Sequence, residues 1–368
     1  ESITPPAADP FDDNYWVNSE TSNKVTVGGV ALEWNKEFED NSSLTFINAW
    51  RNYTSDSFYD GDFTAHNAVI GSSEVELDQY SSEIRLASEA GNTWEYQVGL
   101  FGYYSEFESV GVLAQTPLLV NKLNILRRLY PDGTINTDEN LYTTTSGAAF
   151  GQATWNISDD FSATFGLRYT YEKKQREGSQ ITTPDQPNPA DLPPIAGPNY
   201  YADEERSDTA VSPMMNIRYF LTEDIMTYAS VSRGFKSGGF NQRREALVNG
   251  APPSGEFEEE IATNYELGWK GSWLDNRLVV NGTFFYVEYD DFQSQGFDGS
   301  AVKVTNAGSM ESYGTELEIV YLPVENLTLG SALGYTHAEY TDFENGECTV
   351  EKKFEQAYIE NSNPLGTT

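Results

Sequence analysis

The chain repeats one unit six times: two segments of alternating polarity joined by a short acidic turn and followed by a longer polar stretch. In the clearest copy, residues 265–289, apolar and polar residues alternate on both sides of a turn at residues 274–276. A period of two places alternate residues on opposite faces of a β-sheet. The repeat therefore predicts six antiparallel hairpins, each with one apolar and one polar face.

The connections between the predicted strands alternate between short turns and long loops. The predicted turns lie at residues 39–42, 89–92, 158–160, 222–224, 274–276 and 323–326. The predicted loops lie at residues 52–78, 105–141, 173–206, 234–260 and 290–308, and the spacing predicts a short helix at 118–129 within one of them. Short turns at one end of the strands and long loops at the other are typical of a transmembrane β-barrel.

Alternation alone would also suit a soluble β-sandwich, so the choice depends on what each face carries. The apolar face is rich in large aromatic side chains, and aromatic residues make up 14% of the chain. Outer-membrane barrels concentrate such residues at both membrane interfaces. The alternating segments also run longer than the usual strand of a globular sheet and match a tilted bilayer crossing. We predict an all-β fold, a transmembrane antiparallel up-and-down β-barrel.

Composition excludes several classes of function. The formal net charge of -35 argues against nucleic acid as a partner, because phosphate binding needs a basic surface. One cysteine and two histidines leave no intrachain disulfide and no Cys/His metal cluster, so no metal and no cofactor are expected. Serine-hydrolase, histidine-dyad and phosphate-loop motifs are absent from the sequence, so the chain is predicted not to be an enzyme. The acidic loops suit a hydrated surface, a surface that binds lipopolysaccharide phosphates through divalent cations, or adaptation to high salt.

Four stretches resemble segments of the TonB-dependent outer-membrane receptor family. These are residues 228–241 (YASVSRGFKSGGFN), residues 258–293 with the YELGWK segment at 265–270, residues 313–318 (YGTELE) and residues 82–88 (SEIRLAS). The resemblance reaches nearly every predicted hairpin. It implies a barrel of about 22 strands that is obstructed by an N-terminal plug and imports scarce nutrients across the outer membrane of a Gram-negative bacterium.

The resemblance implies that residues 1–368 form part of the barrel domain and supply about twelve of its strands. The plug, the TonB box and the C-terminal strands are expected to lie outside this sequence. The resemblance implies four partners: the TonB complex, acting through an N-terminal region not in this chain, a ferric siderophore or other bulky nutrient, outer-membrane lipid, and lipopolysaccharide. A passive porin-like channel and a soluble β-sandwich adhesin are the alternatives.

Candidate ligand-binding residues concentrate in one basic and aromatic segment of this acidic chain. They are Arg233, Lys236, Arg243, Arg244, Phe235 and Phe240. Such a cluster could receive an anionic ferric siderophore through charge and ring contacts, or its cations could pair with neighbouring carboxylates or lipopolysaccharide.

Two further segments are weaker candidates. Tyr200 and Tyr201 follow a proline-rich stretch and could contact ligand. The acidic run at residues 256–260 could bind Ca²⁺, but it lacks the spacing of a calcium loop, and a hydrated charge run is the simpler interpretation. No catalytic residue is predicted.

Overall fold

The computed structural model describes residues 19–61, 69–115, 134–183, 199–241, 255–297 and 302–343. Within these ranges the chain forms sixteen β-strands and no α-helix. The strands are β1 (Ser22–Glu37), β2 (Ser43–Asp60), β3 (Val69–Ala87), β4 (Trp94–Gln115), β5 (Thr134–Asn156), β6 (Phe161–Thr183), β7 (Tyr200–Thr222), β8 (Ile225–Lys236), β9 (Gly239–Phe240), β10 (Glu256–Phe257), β11 (Glu260–Trp273), β12 (Leu278–Asp290), β13 (Gln293–Phe297), β14 (Val302–Asn306), β15 (Ser309–Val324) and β16 (Leu327–Asp342). Over the same ranges, no helix is long and apolar enough to cross a membrane. The helix predicted at 118–129 lies outside the described residues.

Twelve strands form one antiparallel sheet in the order β1-β2-β3-β4-β5-β6-β7-β8-β11-β12-β15-β16. Each long strand pairs with the long strand before it and the one after it, as in an up-and-down meander. The two remaining pairs, β9–β10 and β13–β14, are small hairpins inserted in the connections from β8 to β11 and from β12 to β15. The prediction of six hairpins and about twelve strands is confirmed.

The two faces of the large sheet differ in chemistry. The outer face carries large apolar side chains in the open, among them Leu267 at 59% exposure and Phe165 at 47%. The inner face carries polar side chains such as Glu266 and Arg168, which alternate with them along the strands. Among the described residues, the buried hydrophobic side chains are Ala148, Ala163, Ala202, Phe240 and Ala307. A sandwich would seal the aromatic face in a core, so the soluble-sandwich alternative is wrong.

The short turns are built from residues that adopt left-handed backbone conformations. Leu274, Asp275 and Asn276 have φ angles of 57°, 56° and 62°, and Asn41 and Gly91 have 56° and 87° in two other turns. Asn, Asp and Gly reach this region at low cost, which lets two strands reverse direction over a few residues. Leu274 also adopts this left-handed conformation, which a leucine does not favour.

The long loops are shorter than predicted. Strands β4 to β7 contain 22 or 23 residues each, so they continue through most of the segments 105–141 and 173–206. Strands β2 and β3 likewise occupy most of 52–78. Beyond the membrane both faces of a strand meet water, so polarity no longer alternates. Cross-strand hydrogen bonds maintain the sheet there without that pattern.

Candidate ligand-binding wall and loop platform

Aromatic rings on the outer face mark two levels of the sheet. Near the short turns, Trp94 and Trp155 stack with ring centroids 5.4 Å apart. Nearer the long loops, Trp50, Tyr80 and Tyr104 are register partners, and we call them the distal aromatic row. Trp94 and Tyr104 stand ten residues apart on β4, which is roughly 33 Å along the strand and about 25 Å along the membrane normal for a tilted strand. That height matches the apolar band of an outer-membrane barrel. Residues beyond the distal aromatic row, toward the long loops, therefore lie outside the membrane on the extracellular side.

An aromatic wall lies on the inner face beyond the distal row. Tyr53, Leu77, Phe107 and Tyr142 are successive register partners across β2 to β5. The Phe107 and Tyr142 rings are 5.9 Å apart and tilted. Such rings present apolar surface to an aromatic or apolar ligand group.

Arg176 continues this row onto β6 and holds it in place. Its guanidinium carbon lies 5.7 Å from the Tyr142 ring centroid and 5.8 Å from that of Tyr200. The same guanidinium donates to Glu204 at 3.2 Å and to Asn140 at 2.9 Å, and its side chain is fully buried. Burial raises the pKa of the Tyr142 phenol to about 12.

The two small hairpins are bracketed together by asparagine side chains. Asn241 donates through Nδ2 to the Val304 carbonyl at 2.9 Å and accepts from the Val304 amide at 2.7 Å. Asn306 makes the same two-way contact with Glu258, at 3.1 Å and 2.7 Å. Each side-chain amide donates one hydrogen bond and accepts another, as the backbone of a neighbouring strand would. We call residues 237–241, 255–258 and 302–306 the loop platform.

Gln293 fastens the loop platform to the ends of β8 and β11. Its Nε2 donates to the carbonyls of Ser237 and Glu258, both at 3.0 Å. Its backbone amide donates to the Glu260 carboxylate at 2.8 Å. Both Gln293 and Glu260 are buried, so these bonds are protected from competing water.

Two cations attach the loop platform to the inner wall. Arg206 donates to the Phe257 carbonyl at 2.7 Å and pairs with Asp208 at 2.6 Å. The hydrogen bond with Asp208 raises the pKa of Arg206. Lys174 donates to the Gly238 carbonyl at 2.8 Å. The sequence gives little sign of these roles, because the partners are separated by 51 and 64 positions.

The structure divides the predicted basic cluster between two faces. Arg233 and Phe235 share the outer face with the exposed Val231, whereas Lys236 lies on the inner face and pairs in register with Glu260. Phe240 is buried in the loop platform at 8% exposure. Arg243 and Arg244 lie outside the described residues. Ligand binding by these residues stays a prediction, and of the described strand residues among them only Lys236 shares the inner face with the aromatic wall.

The other two candidates also separate. Tyr200 faces inward and accepts from Arg176 at 3.0 Å, whereas Tyr201 is 78% exposed on the opposite face. In the acidic run at 256–260, Glu258 contacts Arg206 at 3.3 Å, so part of the run belongs to the loop platform. Over the described ranges, no group of three His, Cys, Asp or Glu side chains could hold a metal ion.

Comparison with known proteins decides the family. The model of the TonB-dependent receptor-like β-barrel matches residues 2–367. The chain belongs to this family. Its members are β-barrels of the Gram-negative outer membrane. The apolar band on the outer face of this chain therefore faces the membrane, and the polar inner face lines the interior of the barrel. The family consists of receptors and transporters.

Relatives and solved structures agree with that assignment. The pesticin receptor of Yersinia pestis is 28% identical over 181 residues, covering 48% of this chain and 24% of the relative. The ferric-pyoverdine 358 receptor of Pseudomonas putida is 27% identical over 146 residues, covering 38% and 16%. The ferric yersiniabactin uptake receptor FyuA from Yersinia pestis superposes with a TM-score of 0.70 at 18% identity, covering 88% of this chain and 44% of that structure. The matched region therefore spans a quarter or less of the length of these curated relatives.

Proposed function

We propose that this chain is part of an outer-membrane receptor that actively imports a ferric siderophore or a similar bulky nutrient. Residues 1–368 then contribute part of the barrel domain, and the remaining strands and the plug belong to the rest of the protein. The aromatic wall, with Lys236 and Arg51 on the same inner face, forms one side of the ligand entrance. The observation that carries the proposal is this inward wall beyond the membrane band, in a chain of the receptor family.

The chemistry of the wall supports a ligand with ring or apolar groups and an anionic centre. Phe107 and Tyr142 provide ring surface. The Arg51 guanidinium and the Lys236 ammonium are exposed, and neither group has a hydrogen bond or ion pair to a described residue. Names of relatives include siderophore receptors, which supports the same ligand class. Import by binding and plug rearrangement needs no covalent chemistry from these side chains, so we propose no catalytic role.

Uptake of a ⁵⁵Fe-labelled siderophore by cells that produce the intact protein tests the proposal. We expect uptake that requires both the protein and a functional TonB complex, and that stops when the proton gradient is collapsed. TonB-independent uptake would instead support the passive channel. In liposomes, the intact protein should allow no free flux of small sugars, because a plugged lumen excludes them.

We also propose outer-membrane lipid and lipopolysaccharide as partners of the outer face. The exposed apolar band between the two aromatic levels supports contact with lipid. Beyond it, Glu288, Glu311 and Glu339 form one register row of like charge. Divalent cations would link such a row to lipopolysaccharide phosphates. Chelation of divalent cations should then loosen lipopolysaccharide from the purified protein, and retention after chelation would contradict the link.

A further inference from the structure

A groove crosses strands β1 to β4 on the outer face and has a volume of about 550 Å³. Its floor follows one hydrogen-bonded row, in which Leu32, Asn48, Ser82 and Gly102 are successive register partners. The next partner in the row is Gly147 on β5. With strands about 4.8 Å apart, the floor is roughly 14–19 Å long.

Small residues keep the groove open. A Cβ added at Gly102 would meet no atom within 4 Å, and one at Gly147 would only touch the Phe101 carbonyl at 4.0 Å. Larger side chains flank the floor on both sides. The distal aromatic row lines the long-loop side, and Phe46, Ile84 and Leu100 form the row on the other side. The result is a trough one side chain wide.

The distal aromatic row fixes the depth of this groove in the membrane. Trp50 donates through Nε1 to Asp78 at 2.8 Å, and the Tyr104 hydroxyl donates to Glu106 at 2.8 Å. Rings with polar ends directed at carboxylates and apolar faces directed at lipid mark the membrane interface. The floor lies two residues below, or about 5 Å along the membrane normal for a tilted strand. Acyl chains begin at that level.

Two polar groups on the floor have no partner within the described part of the chain. The Asn48 carboxamide and the Ser82 hydroxyl make no hydrogen bond there, although neighbouring positions on the outer face are apolar. An unpaired polar group in hydrocarbon costs on the order of a few kcal/mol. A lipid that brings its own hydrogen-bonding group to this depth removes that cost.

Building on the lipid contact proposed above for the outer face, we propose that the groove is a binding site for one acyl chain of an outer-leaflet lipid that carries an amide or hydroxyl group near its carbonyl end. The acyl chain lies along the floor, and its polar group bonds to Asn48 and Ser82. The groove is continuous with the lipid-facing band, which supports lipid as its occupant. A protein partner would need about 800 Å² of surface on each side, far more than a trough of this width offers.

Lipid retention by the intact protein tests the proposal. The probes are lipid A with amide-linked hydroxyacyl chains and dimyristoyl phosphatidylglycerol, whose chains have neither amide nor hydroxyl groups. Native mass spectrometry in detergent should show one lipid A retained about tenfold more tightly than the phosphatidylglycerol. Equal retention of the two lipids would overturn the proposed hydrogen bonding.

Matched variants locate the site. Gly102→Phe places a ring in the groove at a position where an added Cβ meets no atom within 4 Å, and it should abolish the tight retention of lipid A. Gly28→Phe adds the same side chain at another open position of the outer face and should leave retention unchanged. Asn48→Leu with Ser82→Ala should keep the protein folded and remove only the preference for lipid A. Unchanged retention of lipid A in Gly102→Phe would refute the site. A dimer of the intact protein that Gly102→Phe dissociates would also refute it, because a second copy of the chain would then occupy the groove.

Discussion

Asn241 and Val304 are joined by two hydrogen bonds, of 2.9 Å and 2.7 Å, although 63 positions separate them. They belong to two different connections of the sheet, one between β8 and β11 and the other between β12 and β15. The side-chain amide of Asn241 presents a donor and an acceptor in the geometry of a peptide group. The two connections are therefore coupled, because a displacement of one strains the hydrogen bonds that join it to the other.

Asn241→Ala should weaken the link between the two hairpins, which Asn306 then continues to maintain. It removes two neutral hydrogen bonds of about 1 kcal/mol each, so local opening becomes roughly 30-fold more frequent. Hydrogen–deuterium exchange of the amides at residues 302–306 should speed up by that factor. Asn35→Ala, at an exposed asparagine near a short turn, should leave these amides unchanged. Slow exchange in Asn241→Ala would show that the hairpins are held by other contacts.

Arg176→Met should destabilise the external part of the sheet. The substitution leaves the Glu204 carboxylate, whose side chain is 13% exposed, without its ion-pair partner. Removing one member of a buried pair costs about 3–5 kcal/mol. Thermal unfolding should start at a lower temperature, and trypsin should cleave the external strands sooner. Arg176→Met combined with Glu204→Gln should recover most of the loss, and a double variant as weak as the single one would argue against the pair.

Substitutions on the two faces should affect ligand binding differently. Replacing Arg233, Lys236, Arg243 and Arg244 together with glutamine should weaken binding of a ferric siderophore that the intact receptor transports. Among the described members, Lys236→Gln alone should lower affinity about tenfold, because its ammonium faces the interior. Arg233→Gln should change it little, because Arg233 shares the lipid-facing side with Val231. Fluorescence titration of each variant measures the Kd. Equal losses from both single substitutions would contradict the division by face.

The stacked pair Trp94 and Trp155 should contribute a measurable coupling energy. Their rings lie 5.4 Å apart with planes 7° from parallel. Aromatic pairs contribute about 0.5–1.5 kcal/mol beyond the burial of their area. A double-mutant cycle with Trp94→Leu and Trp155→Leu, read by unfolding in denaturant, should give a coupling in this range. Trp34→Leu is a suitable control on the same face, and additive losses in the cycle would show that the stack contributes nothing specific.

The sequence predicted the features that depend on local pattern. Alternating polarity gave the twelve long strands and the two chemically distinct faces, and Asn, Asp and Gly gave the short turns. The same pattern misjudged the long loops, because outside the membrane a strand needs no apolar face. Backbone hydrogen bonds extend β4 to β7 beyond the membrane. The sequence does not show this extension, because its polarity does not alternate there.

Contacts between distant positions were decided by the tertiary structure alone. The basic segment near Arg233 looked like one cluster, but strand alternation turns Arg233 and Lys236 to opposite faces once β8 is known to continue to Lys236. Arg176 became part of a wall only because β5, β6 and β7 place Tyr142, Tyr200 and Glu204 around it. Local periodicity fixes which face a residue takes within a strand. The register between strands fixes its neighbours, because hydrogen bonding aligns residues that are far apart in the chain.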